Sequence, residues 1–187
     1  MADKKQKKPQ VHYLVTEPYL MTRGAALHFP YQQFKEPILT DKTVYGMVID
    51  MPVNPQSLIT LVAYINGAAN LYFNNGNSYT GASQRYPGVV AITRTLISNA
   101  IRMLPDCEKA KTLDLPTGRE HHLFLLTKSG IYRKVLSPMP EDIQQESQDT
   151  QAIYRIYNQL MRELHDAQLR DRALSRSSNT KNNTKTK

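Results

Sequence analysis

Five histidines, one cysteine and sixteen Asp or Glu carboxylates are the groups from which this 187-residue chain would have to build a catalytic or metal centre. Their spacing argues against most such centres. A single cysteine, Cys107, excludes paired thiolates, and no HExxH motif places two imidazoles on one helical face. His121 and His122 are adjacent, so on a strand they point to opposite faces and cannot ligate one ion. His12, His28 and His165 are scattered. No GxSxG nucleophile elbow is present. Gly76-Asn77-Ser78-Tyr79-Thr80-Gly81 looks superficially like a phosphate loop. It lacks the lysine and the glycine spacing before a helix, and a hairpin turn explains it better. Cys107 follows Pro105 and Asp106 at a helix end, where the negative end of the dipole raises a thiol pKa and disfavours a nucleophile. Asp50, at the end of an apolar strand, is the best lone acidic candidate for catalysis, although an Asp there more often caps a turn. The expectation is a chain without catalytic residues, cofactor or metal.

The elements around these residues are more legible than any chemistry. Lys42 to Val53 alternates Val44, Gly46, Val48 with Tyr45, Met47, Ile49, and both registers are mostly apolar, as in a central strand covered on both faces. Ser57–Ile65, Ala69–Asn74 and a short Ser78–Ala82 read as further strands. Asn66-Gly67 and Asn75-Gly76 between them supply the positive φ of tight hairpins. A helix from Pro87 to Leu104 buries Val89, Val90, Thr93, Leu96, Ile97, Ala100, Ile101 and Leu104 and turns Arg94 and Arg102 outward. Lys111–Leu115 reads as a short strand, and His122–Thr127 with Ile131–Leu136 as a hairpin. After a Gln-rich bridge at 144–149, a long amphipathic helix spans about Gln151 to Leu174. Its stripe is Ile153, Ile156, Tyr157, Leu160, Met161, Leu164 and Ala167, with Arg155 and Arg162 off it.

Charge sits at the ends. The formal net charge is +8, of which residues 1–10 carry +3 and residues 175–187 carry +4, leaving 11–174 nearly neutral. A nucleic-acid-binding fold shows its basic excess on the fold itself, so the ends read as disordered basic tails. Tyr64, Tyr72 and Tyr79 have no basic neighbour within three residues, which favours sheet packing or a protein interface over base stacking. Residues 11–41 carry Pro18, Pro30 and Pro37 and many large apolar groups, and read as an extended aromatic arm lying on the domain or on a partner. No apolar run is long enough to span a membrane, and the first residues lack a secretory signal, so a reducing cytoplasm is expected.

The order of strands and helices over 42–174 resembles the roadblock/longin group of profilin-like folds, whose modules act as dimerisation and scaffolding platforms. More locally, TVYGMVIDM at 43–51, TLVAYINGAANLYFNNG at 60–76 and HHLFLLTKSG at 121–130 are similar to short bacterial proteins with no assigned activity. There Asp-Gly stands at the position of Asn66-Gly67, and a Gly-rich turn at that of Asn75-Gly76. The resemblance implies a fold and no catalytic residues. The fold class expected is therefore α+β: an antiparallel sheet of about five to six strands with one central and one long C-terminal helix. The function expected is a non-catalytic protein-interaction or scaffolding module, a homodimer or a subunit of a larger complex. Its candidate contacts are Tyr19, Phe29, Tyr31 and Phe34 of the arm and Arg94, Arg102, Arg155 and Arg162 of the helices. The alternative is an accessory protein that contacts nucleic acid weakly through its tails and surface arginines, Arg85 among them.

Overall fold

The computed structural model describes residues 13–36 and 40–183, with side chains through Arg176. Its centre is a seven-stranded antiparallel sheet built from β1 (Gly46–Asn54), β2 (Ser57–Tyr64), β3 (Ala69–Phe73), β4 (Ser78–Tyr79), β5 (Glu108–Lys109), β6 (His121–Thr127) and β7 (Gly130–Leu136). They lie in the order β4-β3-β2-β1-β6-β7-β5. The sheet exceeds the expected five to six strands because its two outermost members are fragments of two residues each. The α+β class holds, and β1 is central, with its first six residues buried. The short outer strand expected at 111–115 lies instead at 108–109, and 111–115 is irregular.

One face of the sheet is aliphatic. Met47, Ile49 and Met51 of β1 join Leu61, Leu71, Leu123 and Leu125 of neighbouring strands. They pack under α3 (Pro87–Met103), which follows a single turn, α2 (Ala82–Arg85), and under α5 (Gln148–Asn183), which follows another, α4 (Pro140–Ile143). Pro87 starts α3, where its missing N–H is harmless. The core side of α3 is Val89, Thr93, Leu96, Ile97, Ala100 and Met103, while Ile101, expected inside, is 44% exposed. On α5 the buried stripe is Ile153, Tyr157, Leu160, Leu164 and Ala167. α5 does not stop at Leu174 but continues as helix to Asn183, because no Gly or Pro follows to end it. The basic segment read as a disordered tail is thus helical through 183, whereas the one at 1–10 lies outside the described residues.

The other face corrects the reading of an extended arm. Glu17–Leu27 is a helix, α1, and it lies across this face between Pro18 in its first turn and Pro30 beyond its end. The prolines that argued against a long helix fit an eleven-residue one. Val48, Val62, Tyr45, Tyr64, Phe124 and Leu126 form the core beneath it, with Phe29, Tyr31 and Phe34 packed against them.

Turn chemistry holds the meander in register. Gly67 (φ 89°) and Gly76 (φ 90°) occupy the left-handed region at the two Asn-Gly turns. A Cβ on Gly67 would also lie 2.7 Å from Val90 Cγ1 of α3. Gly67→Ala should therefore lower unfolding free energy by about 2 kcal/mol, read as a shift of the urea midpoint without a change of slope.

Candidate functional site

A row of chemistry-bearing side chains crosses three adjacent strands. Antiparallel pairing sets Asp50 of β1 directly opposite Thr60 of β2 on one side and His122 of β6 on the other, all on the α1 face. The row unites a hydroxyl, a carboxylate and an imidazole. Asp50 is not at a strand end capping a turn: it is the fifth residue of nine-residue β1 and 0% exposed. Its carboxylate is fully engaged. Arg23 of α1 donates from Nη2 to Oδ2 at 2.6 Å and from Nε to both oxygens at 3.0 and 3.1 Å. Thr60 Oγ1 donates to Oδ1 at 2.7 Å. Because an ionised carboxylate only accepts, the 2.8 Å contact between Tyr19 Oη and Thr60 Oγ1 must have the phenol as donor. Burial raises the Tyr19 phenol pKa, so the proton stays in place. The direction Tyr19 to Thr60 to Asp50 is fixed, and the network is closed to solvent.

His122 completes the row without joining Asp50. Its Nδ1 donates to the Asp114 carbonyl at 3.0 Å, and Arg133 Nη2 lies against the ring, 3.1 Å from Nε2 and 3.2 Å from Nδ1. Neighbouring His121 points to the other face and shares a 2.8 Å hydrogen bond with Tyr157 Oη of α5. Burial holds both imidazoles below the usual range, His121 down to about 4. Cys107 is pushed up to about 12 chiefly by burial, and its thiol donates to the Met103 carbonyl. The expected direction is right, but the main cause is desolvation. Among the described residues no group of three or more His, Cys, Asp or Glu is placed to hold a metal ion, and no helix is long and apolar enough to cross a membrane.

The candidate contact residues divide. Tyr19 is 1% exposed and belongs to the Asp50 network, which removes it from any surface. Phe29, Tyr31 and Phe34 form a ring cluster with Tyr45 and Tyr64, at centroid separations of 5.1 to 6.1 Å. They hold residues 28–36 to the domain. Arg94, Arg102, Arg155 and Arg162 are exposed on the helix layer. Arg94 borders an apolar cleft of about 370 Å³ with Ile97 and Ile101. Arg155 and Arg162 border one of about 860 Å³ along α5 with Tyr154 and His165. The structure does not bring these two pairs and the aromatic segment into one site.

Two features escaped sequence reasoning. One is the Arg23–Asp50 pair, whose partners are separated by 27 positions with no local signal. The other is Asp171 of α5, which accepts hydrogen bonds from Tyr79, Arg85 and Tyr86. These donors hold its carboxyl at about 2, below the ordinary carboxylate range. No family model matches the chain, and neither a curated protein nor a solved structure matches it.

Two outcomes follow from the buried groups. Arg23→Met leaves Asp50 an unpaired charge and should cost about 3–5 kcal/mol of stability in urea unfolding, much of it recovered when Asp50→Leu is added. His121 takes up a proton in the unfolded chain below about 6.5 but in the folded one only near 4, so its stabilising effect is present above 6.5 and is lost as pH falls. Between pH 7 and 5 it should contribute a loss of about 2 kcal/mol, and His121→Gln should flatten that dependence of the urea midpoint.

Proposed function

We propose that the chain is a non-catalytic protein-interaction module that self-associates, as a homodimer or within a larger complex, through the outer side of α1. The observation that carries this reading is Leu14. Its side chain is 90% exposed, yet its carbonyl accepts a hydrogen bond from the buried Asn74 Nδ2 at 2.8 Å. Two residues on, the Thr16 amide donates to the Asn74 carbonyl at 3.0 Å. A leucine held in water on a fixed backbone has already lost the conformational freedom that binding would otherwise remove. Leu20 and Met21 on α1 add to it, at 46% and 68% exposure. The only charge on the described outer side of α1 is Glu17 near its start, so an apolar copy of the same surface is a suitable partner. The buried, partner-satisfied Asp50, His121 and His122 and the half-buried Cys107 suit structural rather than catalytic duty, and a free thiol is compatible with a reducing cytoplasm.

Light scattering behind size exclusion should give a mass of twice 21.3 kDa for the wild-type chain. Leu14→Asp with Met21→Asp should return the monomer mass with an unchanged thermal midpoint. A wild-type monomer at high micromolar concentration overturns the reading. Co-elution with nucleic acid that is lost at high salt would favour instead the exposed Arg94, Arg102, Arg155 and Arg162 as a weak polyanion surface.

A further inference from the structure

Asp171 sits one helical turn beyond Ala167, the last fully buried residue of α5 among those described. Four donors converge on its two oxygens. Oδ2 accepts from Tyr79 Oη and Arg85 Nη2, each at 2.7 Å, and Oδ1 accepts from Tyr86 Oη at 2.7 Å and Arg85 Nε at 3.2 Å. The donors come from β4, α2 and the residue preceding α3, a junction that has bonds of its own besides its packing on α5. Tyr79 pairs with Leu71 in the sheet, and the Tyr86 amide donates to the Ala82 carbonyl. The Arg85 side chain is 45% exposed, so the receptor opens to solvent along one side. Beyond it Arg172, Ala173 and Leu174 are exposed, and the helix runs a further 12 residues past Asp171 to Asn183, about 18 Å.

We propose that Tyr79, Arg85 and Tyr86 form a carboxylate-binding site, occupied in this state by Asp171 as a latch, and that an acidic side chain of a protein partner displaces Asp171 and frees the distal part of α5. The fork of Arg85 matches a planar carboxylate edge, and the two phenols take the remaining lone pair on each oxygen. The internal occupant is itself the evidence for the class of ligand. An entering carboxylate exchanges like for like, and release opens a helix end that has no further buried apolar residue among those described, together with the stacking of Arg170 on the Tyr86 ring at 5.6 Å. The inference rests on partner binding but not on the surface of α1.

The test uses the full chain and Asp171→Ala. Hydrogen exchange in Asp171→Ala should quicken at least tenfold in 168–176 and stay unchanged in 148–164. Tyr79→Phe with Tyr86→Phe, which keeps both rings, should move the same segment in the same direction. Sodium acetate, titrated at constant ionic strength, should shift the Arg85 Nε–H resonance saturably in Asp171→Ala, with at least tenfold weaker response in wild type and a clearly weaker one when Tyr79→Phe and Tyr86→Phe are added to Asp171→Ala. Unchanged exchange in both variants, or a shift by inorganic phosphate but not acetate, overturns the proposal. A monomeric wild type would sink the α1 reading and leave these measurements intact.

Discussion

The carboxylate of Asp50 lies in the middle of the central strand with no access to water, and the rest of one side of the molecule is arranged to make that tolerable. An ion in that position requires a counter-ion and donors for its remaining lone pairs. β1 and β2 supply only Thr60. The counter-ion comes from α1, which must therefore lie across the strands with Arg23 facing inward and Tyr19 one turn earlier. Residues 13–36 are thus part of the domain by electrostatic necessity as well as by apolar contact. Arg23 also donates to the Leu113 carbonyl and stacks 5.5 Å over Phe124, so the same guanidinium ties the 110–120 loop to β6.

Asn74 performs the equivalent task for backbone groups at the other end of α1. Its side chain accepts from the Leu58 amide and donates to the carbonyls of Leu14 and Gln56. One buried amide thereby joins the β1–β2 turn, the β3–β4 turn and the segment leading into α1. The two faces of the sheet differ in what they use. The helix-pair face relies on aliphatic packing, tied by the His121–Tyr157 bond and by the donors that meet Asp171. The α1 face relies on rings and polar networks, and one step along β6 divides two neutral imidazoles between them.

What could be read from sequence follows from how local each cause is. The two Asn-Gly turns, the double-sided apolarity of β1 and the stripes of α3 and α5 are signals spread over neighbouring residues, and they are where they were expected. Helix α1 is hidden in the sequence because Pro18 reads as an interruption, although proline is at home in a first turn, and because Arg23 breaks the apolar pattern at a position that proves buried. Ile101 was placed inside by spacing alone, whereas Met103 fills the core at that end of α3. Of the eight candidate contact residues, the four arginines are on the surface. Tyr19 and the three other aromatics are held within the fold, since a ring's affinity for a core and for a partner has the same cause. The Asp50 and Asp171 carboxylates depend on partners 27 and 85 to 92 positions away, which no local pattern encodes.

The two-residue length of β4 and β5 has a consequence for how copies of this chain can meet. An outer strand with a long row of unpaired amides and carbonyls would accept another chain as an eighth strand, and then a ninth, without limit. Here each margin of the sheet ends in a stub that gives way at once to a helix or an irregular loop, leaving little template for backbone pairing. Open-ended stacking of sheets is discouraged at both margins. Any association of copies would then fall to side-chain surfaces, where a two-fold arrangement would close at a finite size.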